Sequence, residues 1–281
     1  MKKIALLLFA LSAVTVCTKG SRTTAVASSP TEKPYDYISK IEYYYNGSPN
    51  KEFEISFDYD DEMRLTSVRR IYDCSTECFT PEAVTTWHLA YTDKGISVTC
   101  DDHKLGAGIV KPSEYRLSLD TAGRASQLEE TYDTANGPVR WSEADYVYDG
   151  DGRLTGYKSS RYGEILLTWQ DGNVMRSAVA EGGQPIEQRT FSSKANNTYP
   201  DLCLYLADLR GRTDVQFLWG DRMGMRSANL PRSFSASLGD SIPPIYSGFM
   251  YRYDSKGRPQ EVDRADDTGK VLRIVITYLE K

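Results

Sequence analysis

Histidine is nearly absent: His88 and His103 are the only two in the chain. A multi-histidine metal site or a Ser-His-Asp triad therefore has little to draw on. Basic residues are also short, with 34 Lys and Arg against 39 Asp and Glu for a net charge of −5. That balance lacks the positive footprint nucleic acid requires. Long apolar runs are missing too, since a spanning helix needs ~20 such residues and the largely apolar run Ile4 to Val16 is shorter. Phe and Trp number only 8 and 4, whereas Tyr reaches 20. Tyrosine packs a ring while keeping its hydroxyl wet, which suits half-buried β-structure. With 40% hydrophobic and 26% charged residues, the composition is that of a globular chain.

The N-terminus gives an address. Lys2 and Lys3 followed by Ile4 to Val16 read as a signal peptide over residues 1–16, flanked as an export signal should be. Cys17 follows directly, where a bacterial lipoprotein carries its acylated cysteine, although Val14-Thr15-Val16 departs from the usual lipobox. Cleavage near Ala13, or at Ala25-Val26-Ala27, is the competing reading. Residues 17–34 are small and polar without apolar periodicity, and read as a flexible tether. Lys19 and Arg22 after the cysteine, where surface-displayed lipoproteins often carry acids, favour the periplasmic side of an outer membrane over the cell surface. The partners expected are thus the membrane, through the Cys17 lipid, and a glycan, peptide or envelope protein. Nucleic acid is excluded and a monomer is expected.

From Tyr35 to the C-terminus the chain reads as one domain, and it repeats itself. Tyr146-Val147-Tyr148-Asp149-Gly150-Asp151-Gly152-Arg153-Leu154 is the cleanest copy. Related phrases start at Phe57, Leu117 and Tyr251, and shortened ones stand at Tyr91 to Gly95 and Trp169 to Asn173. Alternation ending in an aromatic makes a strand, Asp hydrogen-bonds the turn backbone, and Gly supplies the positive φ that re-enters the next strand. Repetition of that unit predicts an antiparallel meander.

The phrase resembles the YD repeat of Rhs-type and teneurin-type proteins, and more closely a group of Bacteroidota lipoproteins of unknown function carrying a few such repeats. The resemblance covers about Ile41 to Tyr278, interrupted near 185–245. It implies a mainly β fold. In large Rhs proteins such repeats build a shell around cargo; about six copies here imply a large curled open sheet, a half-barrel. In the interruption, Leu202, Tyr205, Leu206 and Leu209 have helical spacing with Gly211 as a stop. A short helical and loop insert near 200–230 is therefore expected to cover the apolar face of the sheet. Ser233 to Pro244 reads as a long loop.

Candidate chemistry is sparse. In an oxidising compartment Cys74 and Cys78 are the first choice for a disulfide, with Cys78 and Cys100 the alternative. Cys203, beside the apolar stripe, reads as a buried small hydrophobe. No cofactor or metal is expected: the cysteines lack zinc spacing, and the turn Asp149 to Gly152 is too short to wrap calcium. Acid pairs at Asp60-Asp61, Asp101-Asp102, Glu129-Glu130 and Asp266-Asp267 fall mostly at expected turns, where Asp serves the backbone. Adjacent strand residues also point to opposite faces. Trp87, Trp141 and Trp169 are the candidate ligand-stacking rings, against a competing reading as cross-strand packing. The function expected is a non-catalytic envelope lipoprotein that binds or interacts through one face, without assigned catalytic residues. The alternative is a carbohydrate-active hydrolase with a carboxylate pair on the concave face.

Overall fold

The repeated phrase folds as a turn that its own aspartate holds shut. The computed structural model of the chain describes residues 35–72, 83–103, 114–134, 136–160, 163–182, 185–206, 216–237 and 244–280. In it Asp149 Oδ1 accepts from the amides of Asp151 and Arg153 at 3.0 and 2.9 Å. Gly152 N donates to Asp149 O at 3.1 Å, and Asp149 N donates to Arg153 O at 3.0 Å. Gly152 has φ +81°, so the unit is a type I turn closed by a glycine bulge. The same set of bonds recurs at Asp60, Asp120, Asp254 and Asp266. At the Asp60 turn the glycine position holds Met63 at φ +59°, a conformation that costs a side-chain-bearing residue ~1–2 kcal/mol.

The strands, in chain order, are β1 (Asp36–Tyr45), β2 (Phe53–Tyr59), β3 (Leu65–Tyr72), β4 (Ala83–Thr92), β5 (Gly95–His103) and β6 (Glu114–Leu119). There follow β7 (Ala125–Thr134), β8 (Gly137–Tyr148), β9 (Leu154–Ser159), β10 (Gly163–Gln170), β11 (Asn173–Val179) and β12 (Pro185–Ala195). After β13 (Thr198–Tyr199) come β14 (Asn229–Ala236), β15 (Ile245–Tyr253), β16 (Pro259–Asp266) and β17 (Val271–Tyr278). Each long strand pairs antiparallel with its neighbours in sequence, β12 pairing with β14 across the insert. Ile41 of β1 faces Ile55 of β2 on one side and Ile276 of β17 on the other. The meander therefore closes into a sixteen-stranded antiparallel barrel. The two-residue β13 runs parallel to the start of β1.

Closure corrects the expectation of an open half-barrel. Counting only the repeated phrases between Phe57 and Arg258 finds one end of the meander and misses strands joined at the other, such as by the Asn46-Gly47 turn after β1, with φ +49° and +72°. A sheet with two free edges also exposes unpaired backbone groups, and pairing β1 with β17 removes both edges.

Alternation sorts the wall into two faces. Phe53, Ile55 and Phe57 of β2, Ile96 and Val98 of β5, and Ile274 and Ile276 of β17 point inward and are buried. A barrel of sixteen strands is wide enough to leave a lumen, and the segment between β12 and β14 occupies it. Leu202, Tyr205, Leu206 and Leu218 are almost wholly buried there. Tyr43, stacked on Phe53 at 3.9 Å, donates its hydroxyl to Tyr205 O at 2.8 Å. The segment enters at the barrel end that carries the Asp60, Asp120 and Asp149 turns, and docks on turns there: Met225 N donates to Gly152 O of the Asp149 turn and Ala228 N to Gly172 O of the turn between β10 and β11, both at 2.9 Å.

Two further expectations are corrected here. The insert makes 3₁₀ turns at Leu202–Leu204 and Gln216–Arg222 instead of an α-helix. Asp201 caps the first by accepting from Cys203 N, and the apolar spacing reports burial of Leu202, Tyr205 and Leu206 rather than helix. Leu209 lies outside the described residues. The expected loop from Ser233 begins as strand β14, whose Phe234 packs inward on Phe249; Pro231 is tolerated because the β12–β14 ladder shifts register beside it.

The arginine and tyrosine of the phrase tie successive hairpins together. Arg124 pairs with its own turn's Asp120 at 2.7 Å and lies 4.5 Å over the ring of Tyr148, one hairpin onward. Tyr148 Oη in turn donates to Ala125 O at 2.7 Å. Arg64 repeats this with Asp60 and Tyr91, whose hydroxyl reaches Leu65 O. Arg258 does so with Asp254 and Tyr278, which reaches Pro259 O. Trp169 stands at the equivalent place for the Asp149 turn and donates Nε1 to Leu154 O at 2.7 Å. Only the β6 copy lacks the donor among these, with Leu119 at that place; there the strands approach closely, and a Cβ on Gly95 would collide with Leu117 O. Removing one hydroxyl leaves a sheltered carbonyl without its partner, so Tyr148→Phe is expected to lower stability by about 1–2 kcal/mol, measured by urea unfolding. An unchanged midpoint would show that the ladder carries no such weight.

Candidate functional site

The expected site residues do not converge. Trp87 is buried inside β4 at 3% exposure beneath the guanidinium of Arg70, which makes it a core ring rather than a surface for ligand. Trp141 stands on β8 and its side chain lies outside the described residues. Cys74 and Cys78 also lie outside them, and so does Cys17. Cys100 stands on the inward register of β5 opposite Trp87 of β4. Trp169 alone of the three tryptophans is shown bordering empty space.

The acid pairs scatter in the same way. Asp60 and Asp266 hold turns at opposite ends of the barrel. Asp101 pairs with His88 at 3.2 Å on the outer wall, and Glu129 pairs there with Arg140 at 3.0 Å. Glu130 turns inward and accepts from Ser142. A different pair does meet: Asp201 and Asp221 both approach Arg226, each at 3.4 Å. Asp201 also accepts from Asn196 Nδ2 at 2.7 Å and Cys203 N at 3.0 Å. With a guanidinium between them and the Asp201 lone pairs engaged, the two acids form a structural ion cluster and not an acid and nucleophile facing a substrate.

Asp221 keeps about a quarter of its side chain exposed, but its Oδ1 is sealed from solvent. Burial pushes its carboxyl up to about 6, Arg226 opposing and Asp201 reinforcing the shift. No single residue of this cluster was singled out by spacing, because the insert's fold brings Asp201, Asp221 and Arg226 together from separate stretches.

A cavity of about 300 Å³ opens between the insert and the wall of β9 to β12. Leu154, Tyr157, Leu167 and Trp169 give it an apolar side from the wall. Arg176, Glu187 and Arg189 of the wall, with Asp201 and Arg226 of the insert, give it a charged side. Glu187 and Arg189 pair at 2.9 Å, and Arg226 is fixed by donating to Thr198 O at 2.6 Å. Cys203 closes part of the floor, buried as its place beside the apolar stripe suggested, and burial pushes its thiol well up.

The fold has solved counterparts. The chain is similar to a porin-like protein from Bacteroides uniformis ATCC 8492, with a TM-score of 0.55 and 16% identity over 86% of this chain and 100% of that one. A porin-like protein from Bacteroides vulgatus ATCC 8482 gives a TM-score of 0.53 and 12% identity over 88% and 100%. At such identities the likeness is one of fold. No protein-family profile and no curated protein matches the chain.

The polarity of this wall differs from that of a lipid-embedded barrel, which turns an apolar band ~25 Å tall outward. Here the outward centres of β3, β4, β6 and β8 carry Arg69, His88, Arg116 and Glu143, whereas β10 and β15 carry Leu166 and Met250. An arginine on the lipid face costs ~2–4 kcal/mol at the bilayer midplane, and both Arg69 and Arg116 stand exposed at strand centres. The large exposed apolar side chains among the described residues fall in two places on the wall, Ile245, Tyr246 and Met250 on β15 and Val139, Val147 and Leu166 on β8 and β10, with Met225 on the insert.

The Asp221 cluster makes a pH prediction. Between pH about 4 and about 6 the folded chain holds a proton on Asp221 that the unfolded chain has already lost. The group therefore erodes stability as pH rises through that window and has no further effect above it. Relative to Asp221→Asn, the native chain should lose stability from pH 4 to 6.5 and then run parallel, as measured by thermal unfolding across pH. Parallel curves throughout would refute the assignment.

Proposed function

We propose that the chain is an exported, lipid-anchored binding protein of the cell envelope whose barrel stands in water. The observation that carries this reading is the direction of the wall: charged and polar side chains face outward at the strand centres, while apolar side chains and the insert occupy the lumen. A barrel filled in this way does not conduct, and one charged in this way does not sit in lipid. Its attachment to the membrane falls to the acylated Cys17 and the tether of residues 17–34. The periplasmic side of the outer membrane is the side favoured, on Lys19 and Arg22.

Binding rather than catalysis is supported by the cavity beside Trp169, which has an apolar side and fixed charges, whereas the acids nearest it are held by arginines. The hydrolase alternative has only the raised carboxyl of Asp221 in its favour.

A site-specific protease sequence placed within residues 22–29 tests both parts. Cutting it on isolated membranes should release the barrel to the supernatant without detergent, and Cys17→Ala should abolish incorporation of a labelled fatty acid. A barrel that stays in the membrane after complete cutting would contradict the water-facing wall; retained label in Cys17→Ala would contradict the anchor.

A further inference from the structure

We infer that the cavity between the insert and strands β9 to β12 holds one uncharged sugar ring, stacked on Trp169. The inference rests on the binding-protein reading above and names its ligand class.

Size sets the first limit. At about 300 Å³ the cavity is at the lower end for ligand sites, which run ~300–1,000 Å³. It admits one ring with its substituents and not a chain of rings. The wall sets the second. Trp169 already spends its only polar group on Leu154 O at 2.7 Å, so what it offers a ligand is ring surface. Leu154 and Leu167 of the wall continue that surface, and Met223 does so from the insert. A ligand lying there needs an apolar face.

Two polar groups front the same space. Asp201 accepts through Oδ1 from Asn196 Nδ2 and Cys203 N, and Arg189 donates through Nε and Nη2 to Glu187. Among the described residues no hydrogen bond reaches Asp201 Oδ2 or leaves Arg189 Nη1, and both residues line the cavity. An acceptor and a donor are thus held ready on side chains whose other atoms are fixed. A wholly apolar ligand would strip water from both and return nothing. A hydroxyl answers either, because it both donates and accepts.

Charge sets the last limit. Glu187 matches Arg189, and Asp201 and Asp221 approach Arg226. With Arg176, three guanidinium groups in and beside the lining meet three carboxylates. A charged ligand would enter without a counter-charge. An apolar face, hydroxyls around its rim and no net charge describe a pyranose. Two sources supply it, a free monosaccharide and the terminal sugar of a glycan whose next ring stays outside.

Calorimetry on the full mature chain carrying Cys17→Ser tests the inference with glucose, galactose and mannose, each against its uronate, and with cyclohexanol. At least one sugar should bind, one per chain and at least about tenfold tighter than its uronate or cyclohexanol, a difference of ~1.4 kcal/mol. Ser177, between Leu167 and Glu187 on the lining, is the place to fill the cavity. Ser177→Phe should abolish binding, and Trp169→Leu should weaken it at least about tenfold whereas Trp169→Phe, which keeps a ring, should retain more of it. Unfolding curves for the three variants separate lost binding from lost fold. A disaccharide ending in the bound sugar assigns the site to glycan termini if it binds at least as tightly, and to free monosaccharides if it binds more weakly. Binding of none of the sugars, equal binding of sugar and uronate, or binding that survives Ser177→Phe overturns the inference. Release of the barrel by cutting the tether is independent of those results, so failure here is distinguishable from failure of the water-facing reading.

Discussion

A guanidinium held by the aspartate of its own turn and laid on the aromatic ring of the next hairpin is the contact on which the barrel depends. Arg124, between Asp120 and Tyr148, shows it most fully. Sixteen strands must keep register around a closed circuit, and burial of the inward face sets it, since a slip of one residue would turn the apolar set outward. At Arg64, Arg124 and Arg258 the arginine, aspartate and tyrosine add a side-chain tie between neighbouring hairpins whose geometry fails if the register moves by one residue. Cation–π contacts of this kind contribute ~0.5–2 kcal/mol each. Their recurrence at one end of the barrel makes that end the rigid one, and the insert docks upon it.

Width is the second constraint. A barrel this size encloses more volume than inward side chains fill, and two solutions exist: water with an apolar exterior in lipid, or a filled interior with a polar exterior in water. The water-facing reading proposed above is the second. Tyr205, Leu202 and Leu206 enter the lumen, and Arg69, Arg116 and Glu143 are left outside. The distribution of polarity over such a barrel is decided by side chains and not by topology. The cavity beside Trp169 is the space that the insert leaves unfilled.

Legibility in the sequence followed the range of the interactions. The turns were readable because Asp, Gly and Arg act within five residues of one another, as at Asp149 to Arg153. The strand alternation was readable for the same reason, and so was the apolar character of the insert. Closure was not, because it depends on Ile41 meeting Ile276, and nothing local records which distant strand a first strand will pair with. Helical spacing at Leu202, Tyr205 and Leu206 was readable as burial but misleading as helix, since a 3₁₀ turn capped by Asp201 buries the same residues. The Asp201, Asp221 and Arg226 cluster and the cavity lining were invisible, being assembled from strands and insert only after folding. Trp169 was found among candidate rings, but its distinction from Trp87 rests on where the insert stops.

The direction of the wall is the central claim, and site-directed labelling tests it on the anchored protein in intact membranes. Single cysteines at the outward positions Ser56, Arg116, Thr168 and Glu261, on four sides of the barrel, are treated with a membrane-impermeant maleimide after the outer membrane is opened. The account predicts rapid labelling at all four, with an inward control at Val98 protected until the protein is unfolded. Protection of the outward positions by lipid, relieved only by detergent, would contradict it.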